Sequence, residues 1–151
     1  MEDTKEVIGW REWVALPALG LGRIKAKVDT GARTSTLHAF YLEPFEKDGR
    51  KYVKFRVHPL QNRTDAEIEC VAEVVDEREV TDSGGHCERR LVIVTEVKIK
   101  ERQWTVELTL TDRDTMKFRM LLGRTAIRGR YIVDPSRSFL TGKTPPRLIK
   151  K

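Results

Sequence analysis

The chain has 151 residues, with 29 lysines and arginines against 23 aspartates and glutamates, for a formal net charge of +6. This length is typical of one domain with its own hydrophobic core, so we expect a single domain over residues 1–151. Hydrophobic residues make up 39% of the chain, which argues against disorder. No apolar run approaches the ~20 residues of a membrane span, and no signal peptide is recognisable. Two cysteines, Cys70 and Cys87, are too few for a disulfide scaffold, and we expect a cytoplasmic protein.

The positive net charge is compatible with several kinds of partner. It can attract nucleic acid or an acidic peptide. Charges of both signs are interleaved at residues 76–79 and 88–90, which is typical of a solvated surface. The three tryptophans are not part of an aromatic pattern like that of an RNA-recognition module, so nucleic acid is the less favoured partner.

Alternation of apolar and polar residues predicts β-strands along most of the chain. Successive side chains of a strand point to opposite faces, so each run has one buried face. The alternating runs lie at 24–28, 53–57, 68–74 and 104–110. Asp48-Gly49 predicts a tight hairpin, and residues 82–86 predict a looser hairpin tip between runs at 78–80 and 91–94. The best helix candidate is 125–128, which Gly129 ends. The sequence therefore predicts a small all-β barrel with one short helix.

The segment Asp29-Thr30-Gly31-Ala32 carries the clearest chemistry. Asp29 ends a predicted buried strand, where a carboxylate needs hydrogen bonds or a partner. We expect Gly31 to allow a sharp turn that brings N–H groups near the carboxylate, and Thr30 to bond a neighbouring copy. Two such loops in a homodimer could share one proton, with one carboxylate acting as base on water and the other as acid. The alternative is a structural acid that caps a turn.

A second motif, Met-Leu-Leu-Gly-Arg at residues 120–124, completes a pattern that resembles the retropepsin aspartic proteases. The resemblance implies a closed, mostly antiparallel barrel in which this motif packs beneath the catalytic loop. It also implies a homodimer in which each subunit supplies one catalytic loop, made of Asp29, Thr30 and Gly31. The hairpin tip that contains Ser83, Gly84 and Gly85 lies where a retropepsin carries its flap over the cleft.

Longer segments are similar to one bacterial family (RimB-like), whose members carry the label ATP-dependent zinc protease and resemble single-domain retropepsins. The similar segments are residues 8–14, 27–39 and 129–138. Some members are linked to the ligase RimK, which adds glutamates to a ribosomal protein. The resemblance therefore implies a peptidase that trims glutamate tails, with a glutamate ligase as a possible partner.

The residues themselves argue against zinc and ATP. The His-Glu-x-x-His motif of common zinc proteases is absent, and His38, His58 and His86 are scattered. A metal site built from His86, Cys87 and a distant histidine is the weaker alternative. Gly142-Lys143-Thr144 resembles the end of a phosphate loop, but position 137 holds Arg137 where that motif requires glycine. We therefore expect no metal and no cofactor.

Viral retropepsins commonly place an acid directly after the alanine of the catalytic loop, where it pairs with the arginine of the second motif. This chain has Arg33 and Arg124 at those two positions, so they would repel each other unless Asp134 or the substrate lies between them. We hypothesise that Arg33 faces the substrate and selects acidic side chains, since a guanidinium binds a carboxylate bidentately. The predicted substrate-binding residues are Ala32, Arg33, Ser83, Gly84, Gly85 and Arg124.

The sequence thus predicts an aspartic endopeptidase that acts as a homodimer on acidic, glutamate-tailed peptides. One alternative keeps the fold without the chemistry, as a binding module for an acidic protein or a ligase. Another is a basic protein associated with the ribosome or with RNA.

Overall fold

The computed structural model describes residues 5–59, 66–81, 84–112 and 117–142. These residues form eleven strands, one 3-10 turn and one α-helix. The strands are β1 Glu6–Gly9, β2 Arg11–Leu16, β3 Leu21–Asp29, β4 Ser35–His38, β5 Phe40–Lys47, β6 Arg50–Val57, β7 Ile68–Thr81, β8 Cys87–Ile99, β9 Arg102–Thr111, β10 Met120–Gly123 and β11 Tyr131–Asp134. The 3-10 turn covers Pro17–Leu19, and the helix α1 covers Arg124–Ile127, one residue earlier than predicted. The all-β prediction is confirmed. None of the helices described could span a membrane.

Nine strands form one sheet in the order β2-β3-β10-β4-β9-β8-β7-β6-β5. An additional pairing joins β2 to β8 at Ala15 and Lys98, so the first six strands of that order close into a ring. Strands β7, β6 and β5 extend the sheet beyond the ring. Most pairings are antiparallel, but β3 with β10 and β4 with β9 are parallel. This ring is the barrel that the sequence pattern predicted.

The interior of the barrel is filled by the apolar positions of the alternating runs. On β3, the side chains of Ile24, Ala26 and Val28 are buried, while the residues between them are at least partly exposed. The fully buried side chains of Leu122 and Leu37 come from β10, which is next to β3 in the sheet, and from β4, which is next to β10. In the four alternating runs, the period-two pattern therefore correctly identified the buried face.

Both predicted hairpins are present. Strands β5 and β6 meet at Asp48 and Gly49, which have φ angles of 52° and 77° and form a tight turn. Strands β7 and β8 pair out to Thr81 and Cys87. The prediction of separate runs at 68–74 and 78–80 is wrong, because β7 is one strand whose register shifts between Val74 and Asp76.

A small second sheet brings together two of the segments on which the family resemblance rested. Strand β1 pairs in parallel with β11, so Gly9 lies opposite Asp134. The N–H of Trp10 donates to the carbonyl of Arg137 at 2.8 Å. Next to them, the fully buried carboxylate of Glu12 accepts four hydrogen bonds from residues 9, 140 and 141. This contact was not predicted from the sequence.

Candidate active site

Asp29 is the last residue of β3, and its side chain is half-buried. The chain turns directly after it, with the N–H of Ala32 donating to the Asp29 carbonyl at 3.2 Å. The N–H of Gly31 donates to Asp29 Oδ1 at 3.1 Å. A backbone donor thus orients the carboxylate, as the sequence predicted.

Gly31 makes this turn without using the conformational freedom of glycine. Its φ lies outside the left-handed region. A Cβ at this position would meet only Asp29 Oδ1, at 3.4 Å, which is ordinary van der Waals contact. The turn and the N–H contact are therefore present as expected, but they do not depend on a positive φ at Gly31. What glycine provides is open space beside the Asp29 carboxylate.

Strand β10 supports the Asp29 loop from a distant part of the sequence. It lies between β3 and β4, the two strands that flank the loop, and Gly123 is opposite Asp29. The N–H of Arg124 donates to the Ala32 carbonyl at 2.7 Å. Residues 120–124 therefore lie directly against the loop.

Two hydroxyl groups that the sequence analysis missed strengthen this junction. Ser35 Oγ accepts the N–H of Gly123 at 2.9 Å, and Thr125 Oγ1 donates to the Arg33 carbonyl at 2.9 Å. Each residue stands close to one of the two motifs. A hydroxyl residue beside a buried turn is a recognisable signal for this kind of bond.

We expect Gly123→Ala to destabilise the protein and to disturb the Asp29 loop. A Cβ at this position would lie 2.6 Å from the Thr34 carbonyl carbon and 2.9 Å from the Ser35 nitrogen. These are backbone atoms that cannot rotate away, so we expect a loss of about 1–3 kcal/mol or more in the free energy of unfolding. Urea denaturation would measure it. Gly22→Ala is the matched control, since no atom lies within 4 Å of a Cβ there. Equal stability of the two variants would contradict the prediction.

The side chain of Arg124 hydrogen bonds the loop and, among the described residues, forms no ion pair with an acid. Its Nη1 donates to the Thr30 carbonyl at 3.2 Å. Asp134 is the acid that could lie between Arg33 and Arg124. It accepts hydrogen bonds from the Ser136 N–H at 3.0 Å and from the Ser136 hydroxyl at 2.7 Å, and these bonds lower the pKa of Asp134. Within the described residues, no ion pair reaches Arg33 or Arg124. Both guanidinium groups therefore lack a carboxylate partner beside the Asp29 loop.

Arg33 lines a cleft of about 190 Å³ between the Asp29 loop, the start of α1 and the arm of the β7–β8 hairpin. Arg78 and Glu107 line the same cleft from β7 and β9. Arg78 is already held by Asp76 at 2.7 Å and by Glu107 at 2.9 Å. Arg33 is exposed and, among the described residues, has no ion-pair partner, in contrast to Arg78 in the same cleft.

The tip of the β7–β8 hairpin is exposed at Gly84 and Gly85, and Gly85 has a φ of 85°. Ser83 lies outside the described residues. The roles of Ser83, Gly84 and Gly85 as a flap, and of Ala32 in substrate binding, stay predictions.

The described part of the chain does not assemble the donors of a metal site. No three His, Cys, Asp or Glu side chains there lie close enough together to hold an ion. His38 is buried, and His58 stacks on the ring of Phe40 at 4.4 Å between centroids. Both cysteines are free. Cys70 is buried, which raises the pKa of its thiol to about 11, whereas Cys87 is exposed.

Several longer proteins contain a segment that is similar to this chain. The chain is 48% identical over 143 residues to a protein of Shewanella pealeana, and 42% identical over 147 residues to one of Desulfotalea psychrophila. Each of these relatives is named a probable alpha-L-glutamate ligase. The alignments cover 95% and 97% of this chain but only 31% and 32% of the relatives. The chain thus spans about a third of their length.

A solved structure and a family model match nearly the whole chain. The structure is a Legionella pneumophila protein of unknown function, with a TM-score of 0.76 and 27% identity. The structural match covers 91% of this chain and 99% of the Legionella protein. Residues 7–144 match the family model described as retropepsin-like aspartic endopeptidase RimB. With the Asp29 loop held between β3, β10 and β4, this match shows that the chain belongs to the RimB-like family of retropepsin-like proteins.

Proposed function

We propose that the chain is an aspartic endopeptidase in which the Asp29 loops of two copies form one catalytic site. The observation that carries this proposal is the loop itself. Asp29 stands at the end of a barrel strand with Oδ1 held by the Gly31 N–H, and β10 supports the loop from beneath. One chain supplies one such carboxylate, so the site needs a second copy.

In the proposed reaction, the two carboxylates share one proton because like charges so close together cannot both ionise. The ionised Asp29 accepts a proton from a water molecule, whose oxygen attacks the peptide carbonyl carbon. The protonated Asp29 of the partner donates its proton to the carbonyl oxygen. As the tetrahedral intermediate collapses, one of its two hydroxyl groups returns a proton to the partner's Asp29, the C–N bond breaks, and the amine leaves with the proton held by the first carboxylate. Both carboxylates return to their starting states.

The exposed part of the loop is suited to a contact between two copies. Thr30 and Gly31 are exposed, and Gly31 leaves room beside the carboxylate. Among the described residues, none hydrogen bonds the Thr30 hydroxyl. A two-fold axis through this surface would place each Thr30 against the same surface of the partner.

We propose acidic peptides, including glutamate tails, as the substrates. Arg33 is an exposed cation without an acidic partner in the cleft beside the Asp29 loop. The relatives named as probable glutamate ligases support this choice, because an enzyme that removes glutamates would act on the product of one that adds them. A glutamate ligase is accordingly the proposed partner. We place the reaction in the cytoplasm, where free cysteines such as Cys70 and Cys87 stay reduced.

A mixing experiment tests the shared site. Cleavage of a glutamate-rich peptide is measured with a fixed amount of wild-type chain, before and after adding an equal amount of Asp29→Asn. Random exchange leaves about a quarter of the dimers fully wild type, so the cleavage rate is expected to fall to roughly half. An unchanged rate would show that one copy is sufficient.

A second experiment tests the substrate preference and any dependence on metal. Cleavage rates are compared for glutamate-rich and glutamine-rich peptides of equal length, each with and without a chelator.

A further inference from the structure

The outer face of β3 carries a row of cations that ends at Asp29. Side chains two residues apart on a strand lie on the same face. Opposite the buried Ile24, Ala26 and Val28, this face presents Arg23, Lys25, Lys27 and Asp29. We call Arg23, Lys25 and Lys27 the basic row.

Neighbouring side chains add to the positive charge and hold the row in place. On β2, Trp13 is opposite Lys25, and Arg11 is opposite Lys27. Lys25 Nζ lies 5.5 Å from the centre of a Trp13 ring. Arg11 lies 4.9 Å from the centre of the Phe139 ring. Burial, and after it the nearby Arg11, lower the pKa of Lys25.

Among the described residues, no ion pair neutralises the basic row, whereas several cations on strands β6 to β8 are paired with acids. The ion pairs of the described residues are Arg50–Glu73, Lys54–Glu43, Lys54–Glu69, Arg56–Glu67, Arg78–Asp76, Arg78–Glu107, Arg89–Glu77, Arg90–Glu88 and Lys100–Glu6. Seven of these nine pairs join residues of strands β5 to β9, and Arg56–Glu67 lies beside them, with Glu67 one residue before β7. None involves the basic row or Arg11, so these cations have no carboxylate partner in the described structure.

The row begins at a cleft with more positive charge. Arg23, Lys98 and Lys100 line a cavity of about 290 Å³ next to Trp13. Lys100 contacts Glu6 at 3.9 Å, a distance at which an exposed pair is weak, and Lys98 has no described ion pair. This cleft lies six residues before Asp29 on β3, which corresponds to roughly 20 Å.

We propose that the basic row binds the acidic tail of the substrate in an extended conformation and leads it to Asp29. Residues two apart on a strand are separated by about 6.6 Å, and the same spacing separates alternate side chains of an extended peptide. Three cations can therefore face three alternate glutamates, and the cleft at Arg23 accepts the far end of the tail. Since each strand residue adds about 3.3 Å, the row accommodates about six glutamates. The inference rests on the acidic substrate proposed above.

Binding to an inactive chain tests the row separately from cleavage. Each variant carries Asp29→Asn, and its affinity for oligoglutamate peptides of two to ten residues is measured by calorimetry. Lys25→Gln with Lys27→Gln is expected to weaken binding about tenfold, since exposed pairs contribute up to about fivefold each. The matched control, Lys47→Gln with Lys51→Gln, removes the same charge from the β5–β6 hairpin and is expected to change affinity less than twofold. Affinity should rise with peptide length to about six glutamates and should fall as salt is added.

Three outcomes would overturn the inference. The first is an equal loss of affinity in the row and control variants, which would mean that only net charge matters. The second is affinity independent of peptide length. The third is tighter binding of a single-stranded RNA of equal charge, which would assign the surface to nucleic acid. If the peptides bind as expected but the wild-type chain does not cleave them, the row stands and the peptidase proposal fails.

Discussion

Replacement of Asp29 by Asn is expected to lower the rate of peptide cleavage by about a thousandfold or more, because a positioned acid or base contributes 10²–10⁴ to such a rate. In the wild type, the Gly31 N–H donates to Asp29 Oδ1 at 3.1 Å. Asparagine keeps an oxygen that can accept this hydrogen bond, so the turn should be preserved. It cannot accept a proton from water at neutral pH. The measurement is the initial rate on a glutamate-rich peptide.

The loss must come from chemistry and not from unfolding. Circular dichroism and the urea midpoint of the Asn variant should match the wild type, since only one half-buried side chain changes. Activity above a tenth of wild type in this variant would contradict the aspartic mechanism. A protein that binds acidic peptides equally well with either residue, and cleaves them with neither, would be a binding module.

Glu12→Ala is expected to cause the largest loss of stability among the substitutions considered. The carboxylate is fully buried and accepts the N–H groups of Gly9 at 2.7 Å, Leu140 at 2.8 Å and Thr141 at 3.1 Å. It also accepts the Thr141 hydroxyl at 2.7 Å. Alanine leaves these four donors without their partner. A donor that stays unsatisfied costs about 1–3 kcal/mol, while the donors of the partly exposed residues 140 and 141 can bond water instead. We expect the free energy of unfolding to fall by about 3–5 kcal/mol, measured by urea denaturation.

A second substitution at the same position separates hydrogen bonding from packing. Glutamine fills the space but turns one acceptor into a donor that faces N–H groups, so Glu12→Gln should be intermediate between wild type and Glu12→Ala. Glu101→Gln, at an exposed position, should change stability by less than about 0.5 kcal/mol. Wild-type stability of Glu12→Ala would show that the segment of residues 137–142 is held by other contacts.

The sequence allowed prediction of the features that depend on neighbouring residues. Alternation on β3 identified Ile24 and Val28 as buried and placed Asp29 at the end of the strand. The Asp48-Gly49 pair identified its hairpin, because a tight turn requires residues that accept a positive φ. These signals are local, so a single sequence is enough to show them.

Features that depend on distant residues could not be predicted in this way. The pairing of Gly123 with Asp29 was implied only by the family resemblance, since nothing in either segment specifies the other. The shift in β7 at Val74 interrupts the alternation, so one strand looked like two. Glu12 lies on the buried face of β2 with Val14 and Leu16, in a segment without polar–apolar alternation. Its donors come from residues 9, 140 and 141, and no local pattern connects residues 140 and 141 to it.

The place of β10 between β3 and β4 also determines when the protein can become active during its synthesis. The bonds that hold the Asp29 loop to Arg124 and Thr125 join residues 92 to 94 positions apart. Contacts between such distant residues form slowly, because a long chain segment must close first. A nascent chain that has passed Asp29 but has not reached residue 123 therefore carries its acid without the strand that supports it. Under the proposed function, the catalytic site therefore cannot form until most of the chain has been made and folded, so a newly made copy would not cleave neighbouring proteins early.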